Sequence, residues 1–390
     1  MNKHVLISGA GVAGPALALS LERHGFRSTV VERAHALRRG GQAVDFRGPV
    51  HREVLERLDL WDAIHERRTR PSKLVLLDSA GLPCATMPEV MMSGDVEIFR
   101  GDLSQLLYER TAKATEYRFG DRVVALDDDG ERVTATFEHA APQTFDFVVG
   151  ADGLHSGVRK LVVGDEAKLL RHHGYRIATF SMPSPVESIG SAVTYTVPGR
   201  AVCVTATSAT EARALLVYEA EALDADRSDV AAQKRALRQI FAGIGWRVPE
   251  VLDALDCATD LYVDAIATVH VDRYADGRIA LLGDGAWGGT LGGQGTSLAI
   301  VGAYVLAGEL ARTGDHVEAF ARFERKMRPY ATRCQNGATR AGQFFAPKTR
   351  VGLALRNAIY GFLTSPKLLW FFEWMVKDAA SDLALPEYSH

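Results

Sequence analysis

The stretch His4-Val5-Leu6-Ile7-Ser8-Gly9-Ala10-Gly11-Val12-Ala13-Gly14-Pro15, with Thr29-Val30-Val31-Glu32-Arg33 shortly after it, decides the fold. His4 to Ser8 reads as a short buried strand around Val5, Leu6 and Ile7. Pro15 to His24 has helical spacing, with Leu17, Ala18 and Leu21 on one face and Gly25 at the C-cap position. Thr29 to Val31 reads as a second strand, ending at an acid, Glu32. Strand, glycine turn, helix, strand and acid in this order form a dinucleotide-binding unit. Gly9 permits the tight turn, Gly11 lets backbone approach a pyrophosphate, and Gly14 lets helix pack on strand. Free N–H groups at the helix start suit the phosphates, and Val12 and Ala13 lie there. Glu32 stands where an acid about 20 residues on binds a ribose hydroxyl, and it disfavours a 2′-phosphate. The motif by itself does not separate NAD from FAD.

The rest of the chain bears on that choice. An NAD dehydrogenase would continue with further βαβ units. Here Arg38-Arg39-Gly40-Gly41-Gln42 and Val44-Asp45-Phe46-Arg47-Gly48-Pro49 form a loop rich in glycine and arginine, leading to a helix from His51 to Leu60. Far downstream, Arg278 to Asp284 reads as another buried strand ending in an acid. A second glycine-rich turn follows, Gly288 to Gly295, opening a small-residue helix from Thr296 to Leu310. A long cofactor, FAD, touching both helix starts accounts for the pair. The first start takes the pyrophosphate, Asp284 takes a ribityl hydroxyl, and the second start faces the flavin pyrimidine edge, where it stabilises reduced flavin. The plainer reading leaves Asp284 as a helix cap.

These segments resemble the group A flavoprotein monooxygenases, the para-hydroxybenzoate hydroxylase and tetracycline-inactivating hydroxylase type, along nearly the full chain. The carrying motifs are Gly9-x-Gly11-x-x-Gly14 with Glu32-Arg33, Phe99-Arg100-Gly101-Asp102-Leu103, Ala151-Asp152-Gly153-Leu154-His155-Ser156-Gly157-Val158-Arg159, and Gly283-Asp284 with Gly293-Gln294-Gly295. The resemblance implies an α/β fold: a Rossmann-like FAD-binding domain, a mostly antiparallel substrate-domain sheet and C-terminal helices. It implies cofactor contacts at Gly9, Gly11, Val12, Ala13, Gly14, Glu32, Arg33, Gln42, Arg100, Val124, Asp152, Asp284, Gly293, Gly295 and Thr296. The family often has G-D-A-A-H and then a proline-containing turn. This chain has Gly283-Asp284-Gly285-Ala286-Trp287, no proline, and one residue fewer before Gly293.

The expected division is residues 1–73, 97–165 and 270–330 for FAD, 74–96 and 166–269 for substrate, and 331–390 for C-terminal helices. Val133, Ala135 and Phe137 alternate after the turn Asp128-Asp129-Gly130, a hairpin signal, and Asp146 to Gly150 returns to the central sheet. Tyr175 to Phe180, Ala192 to Val197, Ala201 to Thr207 and Ala212 to Tyr218 read as strands of the substrate sheet, and Asp229 to Ile244 as a helix. Helices are expected from Val317, from Leu353 to Phe362 and from Leu368 to Val376.

By resemblance, NADH or NADPH meets the protein transiently and reduces FAD. Oxygen then gives a flavin C4a-hydroperoxide that hydroxylates an aromatic or polyketide-like molecule, as in antibiotic biosynthesis or modification. The cofactor carries that chemistry, so no protein nucleophile is needed. Arg47 is either a catalytic residue near the flavin or a surface arginine. Trp287 either stacks near the flavin or fills core. Tyr175, Tyr195 and Tyr218 are either substrate contacts or ordinary packing; His172 and His173 read as sheet-edge residues. Other chemistries share this scaffold: flavin dehydrogenase, oxidase or Baeyer–Villiger oxygenase, and more remotely a ligand-sequestering protein without turnover.

Composition sets the outer bounds. The 390 residues are enough for two to three domains. With 47% hydrophobic and 24% charged residues and a net charge of −3, the chain reads as an ordinary globular protein with no nucleic acid or membrane partner. Cys84, Cys203, Cys257 and Cys334 form no C-x-x-C pair, which argues against a disulfide framework or a metal site. No stretch reaches the ~18 apolar residues of a membrane span. A cytoplasmic monomer or homodimer is the expectation.

Overall fold

A computed structural model describes residues 3–38, 40–69, 73–87, 89, 94–185, 191–220, 229–289, 294–365, 368, 370 and 385–388. β1 (His4–Ser8) is buried at every position and leads through the glycine turn into α1 (Ala13–Glu22), then β2 (Arg27–Glu32). A short strand β3 (Ala43–Phe46) follows. α2 (Pro49–Arg57) starts with proline at its first position and stops three residues short of Leu60, and α3 (Trp61–Glu66) begins directly after that residue. β4 (Lys73–Leu77), β5 (Pro83–Met87) and β6 (Val96–Phe99) precede α4 (Arg100–Thr111). β7 (Glu116–Phe119), β8 (Val123–Asp128), β9 (Val133–Phe137), β10 (Gln143–Phe145) and β11 (Phe147–Gly150) complete this half, and the turn of β8 and β9 falls at the expected Asp-Asp-Gly.

Two short helices, α5 (Gly157–Val162) and α6 (Glu166–Leu169), lead into the long strand β12 (Leu170–Pro183). β13 (Ser191–Val197), β14 (Arg200–Ala206) and β15 (Glu211–Glu219) match the expected strands within two residues. Then come α7 (Val230–Phe241), α8 (Val248–Cys257), β16 (Tyr262–Val269), β17 (Ala275–Asp276) and β18 (Ile279–Leu281). The chain ends in α9 (Gln294–Thr313), α10 (His316–Phe345) and α11 (Arg350–Leu363). The expected helix at Leu368 to Val376 lies largely outside the described residues.

The strands assemble into a Rossmann-like sheet and a larger second sheet. The first has the order β17-β18-β11-β1-β2-β7, parallel except for β17, and α1 packs on α9 against it. The second has the order β16-β12-β15-β14-β13-β4-β5 and is mostly antiparallel, with one parallel pair between β13 and β4. Residues 73–87 thus join 170–269 in one sheet. β3 and β6 form a separate two-stranded ribbon.

Both faces of the second sheet are covered. Phe180, Tyr195, Leu216 and Tyr218 pack on α7 and α8. Tyr175, Ile177, Val217 and Ile266 point to the opposite face, where α10 and α11 lie. Strand side chains alternate between faces, so residue parity decides which way each points. Among the described residues no helix is long and apolar enough to cross a membrane.

Candidate functional site

The site begins where backbone meets backbone. Gly9 has φ of 110°, and a Cβ there would lie 2.5 Å from the Ala151 carbonyl oxygen. A Cβ at Gly14 would lie 2.0 Å from the Gly9 carbonyl oxygen. Only hydrogen fits at either place, so β1, the turn and the segment after β11 close on one another. No side chain caps the start of α1, which leaves its first N–H groups to a ligand. Glu32 is fixed beside them: one carboxylate oxygen accepts from the Ala10 N–H and the other from the Ala34 N–H, both at 2.9 Å. Each oxygen retains acceptor capacity for a ribose hydroxyl.

The second wall is the segment after β11. Ser156 Oγ caps α5 by accepting the Arg159 N–H at 2.9 Å. The fully buried Arg159 donates to the carbonyls of Gly285 (3.1 Å) and Leu154 (2.7 Å), which ties this segment to the turn that carries Asp284. Asp152 Oδ2 accepts the Val158 N–H at 3.1 Å, while buried Oδ1 has no partner among the described residues. Burial pushes the carboxyls of both Asp152 and Asp284 up, and for Asp284 the Arg100 guanidinium opposes this. A buried carboxylate oxygen without a partner is costly unless a ligand donor reaches it.

These walls enclose a cavity of about 300 Å³. Of the expected cofactor residues, Gly9, Gly11, Val12, Ala13, Glu32, Arg33, Arg100, Asp152, Asp284, Gly295 and Thr296 line it. Both glycine-turn helix starts therefore meet in one place. Gly14 packs behind the lining, and Gln42 meets it only through backbone, its carbonyl accepting the Arg100 N–H at 3.1 Å. Gly293 lies outside the described residues. Val124 is turned to solvent, 40% exposed, and its strand neighbour Val123 takes the cavity side. An uncapped helix start, an anchored acid and an orphaned buried carboxylate oxygen fit FAD.

The expected catalytic and substrate residues fare differently. Arg47 is outside the cavity lining. It binds Asp45 Oδ2 through Nη2 (3.0 Å) and Nε (3.3 Å), and its backbone N–H donates to His51 Nδ1. Trp287 is fully buried between Tyr274 and Phe323, with ring centroids at 5.5 and 6.4 Å, and fills core rather than lining the cavity. Tyr195 and Tyr218 lie on the face covered by α7 and α8, away from the cavity. Tyr175 is on the nearer face but sealed beneath Gly342 of α10, its hydroxyl donating to the Ala346 carbonyl.

Tyr262, Asp264, His155 and Arg213 were not among the expected site residues. Tyr262 and Asp264, on β16, bring the second sheet to the cavity, and His155 joins them. Behind Gly40, a lining residue, Arg213 lies over the Phe99 ring (5.8 Å to the centroid), donates to Ser181 Oγ at 3.2 Å and pairs with Asp260 at 3.6 Å, while its buried Nη1 has no partner among the described residues. The signal available in principle was parity: residues 213, 262 and 264 share the face of Ile177 and Thr179.

The FAD binding domain family model matches residues 2–334. A flavin-dependent monooxygenase of Legionella longbeachae is 31% identical over 397 residues, covering 99% of this chain and 98% of that protein. An uncharacterized protein of Mycobacterium tuberculosis is 40% identical over 342 residues, covering 85% and 92%. The crystal structure of tetracycline destructase Tet(55) superposes with a TM-score of 0.83 at 32% identity, covering 99% of each chain.

Proposed function

Because this chain belongs to the FAD binding domain family and is an FAD-dependent monooxygenase, we propose that it hydroxylates an aromatic or polyketide-like small molecule. FAD supplies the redox chemistry when bound, taking a hydride from NADH or NADPH and delivering two electrons to O2. One oxygen atom enters the substrate and the other leaves as water.

The protein's own work is placement. Gly9, Gly11, Val12 and Ala13 cradle the pyrophosphate, with Gly14 giving the turn its room and Arg33 and Arg100 supplying positive charge. Glu32 and Asp284 accept from the two sugar-like chains, and Asp152 accepts through Oδ1. Gly295 and Thr296, at the start of α9, face the ring end. Gln42 and Arg47 hold the ribbon, and Arg213 takes the substrate role that Tyr195 and Tyr218 cannot reach. The observation that carries this reading is the meeting of two acid-tipped strands, β2 ending in Glu32 and β18 leading to Asp284, and of α1 and α9 at one cavity. The setting is the cytoplasm, the chain acts as a monomer or homodimer, and the activity modifies or builds antibiotic-like compounds.

The test is the visible spectrum of the purified protein, then NADH and NADPH oxidation across a panel of mono- and polycyclic phenols. Flavin bands near ~450 nm with oxygen-dependent, substrate-stimulated turnover and a hydroxylated product are expected. FAD bound without oxygen use, or product lacking the added oxygen, would overturn the hydroxylase reading.

A further inference from the structure

The cavity has an uneven chemistry. Its α1 end offers N–H donors and Arg33; Asp284, Asp264 and Tyr262 line the rest, and Arg100, near Gly11, reaches across and acts on both Asp284 and Tyr262. Asp264 is the centre of a short chain of hydrogen bonds. Its Oδ1 accepts His155 Nε2 at 3.0 Å and the Ala265 N–H at 2.7 Å. Its Oδ2 accepts the Tyr262 hydroxyl at 2.7 Å. The other nitrogen of His155, Nδ1, lies 2.8 Å from Glu166 Oε1. Each ring nitrogen therefore faces a carboxylate oxygen. Burial alone would push Asp264 up, but the bond and charge of His155 outweigh it and hold the carboxyl below its usual range. Burial and the neighbouring Asp264 keep the Tyr262 phenol protonated.

The consequence for a ligand is specific. Tyr262 gives its one proton to Asp264, so its oxygen presents only acceptor lone pairs to the cavity. Two carboxyl groups and a phenol whose proton is already given present acceptors, which suits hydroxyl donors. FAD has such donors in the polyol chain between its pyrophosphate and its ring. Resting on the FAD reading above, we propose that Tyr262 is a cofactor-binding residue supplied by the second sheet, accepting a hydrogen bond from a ribityl hydroxyl. His155 is its positioning residue, acting through Asp264. The strut also spans the two sheets: His155 follows β11, and Asp264 lies on β16.

The experiment measures FAD and ADP affinity of the apoprotein by fluorescence quenching and calorimetry. Tyr262→Phe keeps the ring and removes the oxygen. It is expected to weaken FAD about three- to tenfold, the size of one hydrogen bond, and to leave ADP binding unchanged. Equal FAD affinity in the variant, or an equal loss for ADP, would overturn the assignment. His155→Gln removes the charge that organises Asp264 and should weaken FAD as well. In the Tyr262→Phe background that second loss should vanish, because the strut then has nothing left to position. A merely structural His155 would lower thermal stability and give additive losses, which overturns the positioning role. If His155→Gln does not fold, Glu166→Gln enters the same cycle with the same expectation. Failure of the wild-type protein to bind FAD at all would instead sink the function proposed above.

Discussion

At Glu97, burial on the β3–β6 ribbon pushes the carboxyl up from its usual range to about 7, against the pull of the Thr69 hydroxyl that donates to it. Its cross-strand partner Asp45 carries the same sign of charge and adds to the rise. Below pH 4.5 the group is protonated folded or unfolded and contributes nothing to pH dependence. Between 4.5 and about 7 the unfolded chain ionises first, so the apoprotein loses stability as pH rises, by at most about 3 kcal/mol. Glu97→Gln should therefore raise the melting temperature of the apoprotein at pH 8, with the gain gone at pH 4. A gain that persists at pH 4 would assign the effect to packing. Single residues were the least legible level of the sequence. The cavity-lining Val123 and the exposed Val124 are adjacent identical residues, and nothing local distinguishes them. Trp287 had two readings, and only the positions of Tyr274 and Phe323 select the core one.

Elements were far more legible, since β1, α1, β2, β13 to β15 and α9 all stand within a few residues of where the sequence reading put them, and Tyr175 to Phe180 is the middle of the longer β12. Their orientation was not. The second sheet is covered on both faces, so the polar alternation that would mark a solvent side is missing, and Tyr195 on β13 and Tyr218 on β15 read as well on one face as on the other. β16 passed unnoticed for the same reason, and Tyr262 and Asp264 with it. Trp287 shows how elements are held together. It lies against Tyr274, against Phe323 of α10 and against Gly302 of α9, where a Cβ would come within 2.9 Å of the indole. Trp287→Ala should cost about 3–5 kcal/mol in urea unfolding, through lost burial and the cavity left behind. Trp287→Phe should cost clearly less, because the indole N–H it removes has no partner among the described residues. Equal losses would mean that the site collapses around either side chain.

At the scale of the molecule, the cavity draws residues from the first turn, from Asp152 to Gly157, from β16 and from the start of α9. Proximity of the first and last of these was legible, because two glycine turns far apart in sequence make sense as one site. The contribution of the second sheet was not, since it depends on the strand order that places β16 at the sheet edge. A ligand that binds only the folded state stabilises it by RT ln(1 + [L]/Kd), about 2.7 kcal/mol at 100 times Kd. If β16 is part of the site, that energy is shared by both sheets, and FAD should raise one common unfolding transition followed by tryptophan fluorescence and by far-ultraviolet dichroism. ADP, which fits only the end near α1, should raise it as much as FAD at the same multiple of its own Kd, and less than FAD at equal concentration, because it gains nothing from the β16 side. Should FAD shift one transition and leave a second at the apoprotein temperature, the second sheet would be unfolding independently of the cofactor, and the wall formed by Tyr262 and Asp264 would carry none of its binding energy.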